Sequence, residues 1–122
     1  MGSAHRKGWE GETEITKLLR AAFPEIKDKI IRTSLQESYK RSFQGDVYCF
    51  DSGHILSDYM WEVKRQETES PRKWLEKAKD DLGGNLQRPL VVFRSSNKDW
   101  LVTLALSDFL PLLQELQGFR EQ

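Results

Sequence analysis

The run of consecutive apolar residues from Pro89 to Phe93 constrains this chain more than any other feature. Apolar residues without alternation fit a strand buried on both faces, and such a strand needs cover above and below its sheet. The flanking sequence supplies that cover. Ile15, Leu18, Leu19 and Ala22 recur at helical spacing over residues 9–22 and stop before Pro24. Pro71, after the possible cap Ser70, opens a second helix that should end at Gly83-Gly84. Ser107 is placed to cap a third, with Leu110, Leu113 and Leu116 on one side.

Between these helices the pattern turns to strands. Residues 28–34 read as a short strand, followed by a polar stretch from Leu35 to Gly45. Residues 46–51 are rich in strand formers, Ser52-Gly53 supplies a turn, and residues 58–65 form the partner strand of a hairpin. After the apolar run, Ser96 to Asp99 make a turn and Trp100 to Ala105 another strand. The order α-β-β-β-α-β-β-α predicts an α/β fold, with a central mixed sheet of about five strands flanked by helices and the hairpin near its centre. With 122 residues and no linker, the expectation is one domain over 1–122.

Composition narrows the setting. No run of about 18 apolar residues could span a membrane, and the first ten residues lack the apolar stretch of a secretory signal. A single cysteine, Cys49, excludes an internal disulfide framework and fits a reducing compartment, so a cytoplasmic location is expected. Nineteen basic residues balance nineteen acidic ones, which argues against a protein that coats nucleic acid non-specifically. His5 and His54 lack the spacing of a zinc site, and no phosphate-binding glycine loop or nucleophile elbow occurs, so no small-molecule cofactor is expected.

The motif that carries chemistry is Gly45-Asp46 followed, sixteen residues after the aspartate, by Glu62-Val63-Lys64. In a strand, residues two apart share a face at roughly 7 Å, so Glu62 and Lys64 project together while Val63 points the other way. Asp46 starts the neighbouring strand and can reach the same point if the hairpin bends there. Two carboxylates are hard oxygen ligands suited to Mg²⁺, and an ammonium beside them can orient or deprotonate a water or hold a phosphate oxygen. The backbone carbonyl of Val63 is a further candidate ligand. Glu-x-Lys alone is a common surface pair of little energetic weight. Gly45-Asp46 before it, and Trp61 and Val63 giving the strand a buried face, set this one apart.

Asp46…Glu62-x-Lys64 on a central hairpin, within this element order, resembles the PD-(D/E)XK nuclease superfamily and its restriction-endonuclease-like fold. Lys7-Gly8-x-x-x-Glu12, followed by Ile15 and Leu18, looks like the first helix of archaeal-type Holliday junction resolvases, which some phages also carry. The resemblance covers about residues 6–94. It implies catalytic roles for Glu12, Asp46, Glu62 and Lys64, and Mg²⁺, with Mn²⁺ as a substitute, held by Glu12, Asp46, Glu62 and the Val63 carbonyl. Gly45 stands where the motif often has proline, the Asp-to-Glu interval is longer than in the archaeal enzymes, and the family's loop serine falls among Ser34, Ser38 and Ser42. On helical position alone Glu10 and Glu14 rival Glu12, since acids in a first turn favour the helix dipole whatever their function.

Arg6, Lys7, Arg32, Lys40, Arg41, Arg65, Lys73 and Lys77 are candidate phosphate contacts, although basic clusters are usually solvated faces. Tyr39 and Phe43 beside Lys40-Arg41 suit stacking on bases, and Phe43 equally suits the core. The expected activity is metal-dependent cleavage of branched DNA, four-way junctions first, by a C2 homodimer whose two sites match the junction's symmetry. Flap, single-strand or restriction-type cleavage, a silent DNA-binding module on the same fold, and a structural or inhibitor protein that binds no metal are the alternatives. Residues Phe109 to Phe119 suit either a subunit interface or closure of the core.

Overall fold

The computed structural model describes the backbone of residues 2–33 and 45–122, and the side chains of 8–33 and 45–122. Helix α1 (Gly2–Ala22) leads through a 3₁₀ segment, Pro24–Lys29, into strand β1 (Ile30–Arg32). Strand β2 (Val47–Cys49), a second 3₁₀ turn (Ile55–Asp58) and strand β3 (Tyr59–Arg65) follow. Helix α2 (Pro71–Leu82) then carries the chain to β4 (Arg88–Arg94), β5 (Leu101–Thr103) and α3 (Leu106–Arg120). The sheet order is β1-β2-β3-β4-β5. Only β3 and β4 run parallel; the other three pairs are antiparallel. This is the expected mixed, restriction-endonuclease-like sheet with the β2–β3 hairpin at its middle.

Alternation along β4 shows why Pro89 to Phe93 has no polar positions. Leu90 and Val92 join Ile15, Ile30, Val47 and Val63 on the face that α1 covers. Val91 and Phe93 join Met60 and Ala78 on the face that α2 covers, beside Trp74, Leu75 and Leu82. Burying an apolar side chain contributes about 1.5–3 kcal/mol, and β4 does so on both sides. β3 shares this division. Tyr59 and Val63 face α1, whereas Met60 faces α2.

Several boundaries differ from the sequence reading. α1 begins at Gly2, seven residues before its apolar periodicity, and of its predicted stripe Ile15 is buried and Leu19 packs on the core while Leu18 and Ala22 are exposed. β1 is confined to three residues because a 3₁₀ segment occupies the stretch before it. Ser70 does precede α2, but its hydroxyl makes no capping bond. Ala105, not Ser107, sits at the N-cap of α3. The largest departure is α3 itself. None of its residues is buried, so its leucines do not close the core. Cys49 is buried in β2, and burial pushes its thiol up. Among the described residues no helix is long and apolar enough to cross a membrane.

Candidate active site

Asp46 is fixed from both sides before its carboxylate does anything. Its N–H donates to the Trp61 carbonyl of β3 at 2.7 Å, and its own carbonyl accepts from the Thr33 N–H at 3.1 Å. The Thr33 hydroxyl donates to the Gly45 carbonyl at 2.8 Å. Gly45 has φ +84°, and a Cβ there would lie 2.7 Å from the Trp61 carbonyl oxygen. Only glycine allows the chain to pass so close to β3 in that left-handed conformation. This is the physical reason a glycine precedes the aspartate.

The β2–β3 ladder has a single registered pair, Val47 with Trp61. Beyond it the strands part, and the Asp46 Oδ2 accepts the Val63 N–H at 2.8 Å where a backbone carbonyl would otherwise serve. The N–H and C=O of one strand residue leave on the same side, so the Val63 carbonyl is also directed toward Asp46 rather than toward β4.

Glu62 lies on the opposite face of β3 from Val63 and is partly buried. Its carboxyl is pushed up to about 8 by burial first, then by the charge of Asp46 and a side-chain hydrogen bond with it. Lys64, two residues along, works in the other direction but does not prevail. Raised this far, Glu62 keeps its proton near neutral pH in the metal-free protein. A divalent cation can take the place of that proton, and hard oxygen donors of this kind suit Mg²⁺. The pair therefore fits the metal that the motif implies.

The three acids of α1 fall out differently. They lie well inside the helix, not in its first turn, so none serves the helix N-terminus. Glu10 accepts from Arg65 Nη1 at 2.6 Å. Glu14 takes Arg94 at 2.9 and 3.2 Å and the Trp100 indole N–H at 3.0 Å. Burial opposes the charge of Glu14, but the bonds from Arg94 and Trp100 outweigh it and hold the carboxyl below its ordinary range. Glu12 has a looser ion pair, 3.7 Å from the Arg32 Nε. Among the described residues no three acidic, histidine or cysteine side chains come close enough together to hold a metal, so Glu12 does not stand with Asp46 and Glu62. Its helix packs on the Val63 side of the sheet, where a Cβ on Gly11 would touch Val63 at 3.3 Å.

A comparison with protein families matches residues 3–120 to the family described as "Phage putative PDDEXK endonuclease". The chain belongs to this family. No curated protein and no solved structure matches it. In this PD-(D/E)XK family member the β2–β3 hairpin brings Asp46, Glu62 and Lys64 near one another.

The basic residues singled out from sequence divide into three groups. Arg32 is buried against Glu12, with its guanidinium 4.8 Å from the Trp9 ring centre, and Arg65 is tied to Glu10 with little exposure. Both are thereby engaged inside the protein, away from the solvent where a phosphate would approach. Lys73 and Lys77 are exposed on α2, and Lys77 pairs with Asp81 one turn on at 3.4 Å. Asp81 is near enough to act on Glu62, which puts this side of α2 beside the carboxylate pair. The side chains of Arg6 and Lys7, and all of Lys40, Arg41, Tyr39, Phe43 and the three loop serines, lie outside the described residues. Sequence reasoning missed the roles of Thr33, Arg94 and Trp100. Their partners are distant in the chain, and no local pattern marks them.

Proposed function

We propose that the protein is a Mg²⁺-dependent endonuclease for branched DNA, with four-way junctions its principal substrate. The observation that carries the metal-dependent part is the Asp46–Glu62 pair, two carboxyls close enough that the charge of Asp46 helps to raise Glu62. With the Val63 carbonyl they form the donor set. When bound there, Mg²⁺ lowers the pKa of a coordinated water and offsets charge developing on the scissile phosphate. Asp46 brings one carboxylate from the hairpin turn, held by Val63, so its position is set before substrate arrives. Glu62 gives up its proton to become the second anionic ligand. Lys64, on the same face, offers its ammonium to a phosphate oxygen or to the attacking water. Mn²⁺ is expected to substitute for Mg²⁺.

The preference for junctions rests on the resemblance of the first helix to Holliday junction resolvases, and it implies a homodimer in which two sites serve two symmetric strands. The test is incubation with labelled four-way junction, flap, duplex and single-stranded DNA, with and without Mg²⁺, alongside Lys64→Ala. Paired nicks in the junction, dependent on Mg²⁺ and lost with Lys64→Ala, are expected. Cleavage of none of these substrates would end the nuclease reading for this chain, and cleavage of flaps or linear DNA alone would end the junction reading.

A further inference from the structure

Helix α3 presents a physical problem for a lone chain. It is fifteen residues long with no buried residue, and it contains Pro111. A proline inside a helix removes the bond to the carbonyl four residues before it, here Ser107, and helices of this length are marginal in water without tertiary packing. Leu106, Phe109, Leu110, Leu113, Leu116 and Phe119 are nevertheless 39–75 % exposed. Taking about 150–200 Å² for each free side chain, they leave on the order of 600 Å² of apolar surface in solvent, at the upper end for a monomer's largest patch.

The same side of the molecule holds an apolar groove of about 550 Å³. Its floor includes Tyr59, Trp61 and Leu90 from the α1 face of the sheet, and its wall includes Val102 of β5 and Phe109 of α3. Each chain therefore carries both an uncovered apolar helix and a groove that accepts apolar side chains. A two-fold pairing uses both at once, because an isologous interface needs a surface complementary to itself. The area agrees as well. A standard interface covers about 800 Å² per partner and is some 60 % apolar, an apolar area that α3 alone supplies.

We infer that a second copy of this chain docks here, the C-terminal half of each α3 seated in the groove of its partner. This deepens the homodimer of the proposed function by naming its surface, and rests on that reading only for what the dimer is for. The groove opens on the Tyr59 and Trp61 face of β3, and strand alternation puts Glu62 and Lys64 on the opposite face. The interface so placed leaves those two side chains uncovered on both protomers.

The experiment is sedimentation of the full chain without DNA, from about 1 to 100 µM, for the natural sequence and three variants. Leu116→Glu with Phe119→Glu alters the helix tip, Val102→Glu alters the groove wall, and Leu18→Glu alters an equally exposed residue on α1. A dimer for the natural sequence and Leu18→Glu, weakened at least about a hundredfold in the helix and groove variants with unchanged circular dichroism, is expected. A monomer throughout, a dimer that survives both the helix and groove changes, or equal loss in all three variants would overturn the inference. Cleavage assays on the same samples keep the two readings apart. A monomer that still nicks DNA sinks the interface alone, and a dimer of the expected kind that cuts nothing sinks the nuclease alone.

Discussion

The carboxylate of Asp46 accepts the backbone N–H of Val63 at 2.8 Å, so one side chain both completes the hairpin and supplies half of the candidate metal site. The two duties separate by substitution. Asp46→Asn keeps an oxygen for the Val63 N–H but loses the anionic charge. It is expected to fold with nearly the parent stability and to lose cleavage by roughly a hundredfold or more. Asp46→Ala removes the acceptor too and is expected to be less stable by about 1–2 kcal/mol. Thermal melts and single-turnover cleavage of the two variants side by side measure this.

Gly45 controls where that aspartate sits. At φ +84°, with the Trp61 carbonyl oxygen 2.7 Å from any added Cβ, alanine can be accommodated only by moving the chain off β3. Gly45→Ala is expected to destabilise by about 1–3 kcal/mol and to reduce cleavage beyond what the loss of folded protein explains. Gly84→Ala, where nothing lies within 4 Å of the new Cβ, is the comparison and should stay within about 0.5 kcal/mol. Denaturant unfolding of both variants decides the matter.

The Glu62 carboxyl titrates at about 8 in the folded protein against an ordinary value of 4.5. Because folding raises this value, the folded chain binds the proton more tightly than the unfolded one. The contribution to stability is present in full below about pH 4.5 and is lost as pH rises to about 8. Metal-free protein is expected to become less stable by on the order of 2 kcal/mol between about pH 5 and pH 8. Glu62→Gln should flatten that slope and melt above the parent at the alkaline end. Added Mg²⁺, which competes with the proton, should raise the melting temperature more at pH 8 than at pH 6. Parent and variant melting at the same temperature across this range would contradict the account.

How much of this the sequence discloses depends on whether a residue's partner is local. β4 reads directly because burial on both faces removes every polar position from Pro89 to Phe93, and the Asp46–Glu62–Lys64 constellation reads because strand alternation fixes which side chains share a face. α3 is ambiguous for the opposite reason. Leucines at helical spacing look alike whether they meet the chain's own core or another surface, and here the core is already filled by α1 and α2. The left-handed turn at Gly45 is visible only as a glycine, since the backbone it must avoid belongs to residue 61. Glu10 and Glu14 look like solvated charges because their arginines stand 55 and 80 residues away.

Those two glutamates frame a final prediction about Glu12 between them. Arg94 binds both oxygens of Glu14, and Trp100 adds a third donor, so this group locks α1 to β4 and to the chain entering β5. Glu14→Gln is expected to lose about 1–2 kcal/mol, with little change in the Mg²⁺ concentration needed for cleavage. Folding lowers the Glu14 value, so its contribution is present above the ordinary carboxylate range and lost as pH falls through it. Parent and Glu14→Gln stabilities should therefore converge as pH falls below the ordinary carboxylate range. Glu12 holds Arg32 at 3.7 Å, a longer and weaker pair. If Glu12 reaches the metal when DNA is bound, as the family resemblance implies, Glu12→Gln should fold close to parent stability yet need roughly tenfold or more Mg²⁺ for half-maximal cleavage. An unchanged Mg²⁺ requirement in Glu12→Gln would take Glu12 out of the ligand set and leave Asp46, Glu62 and Val63 in it.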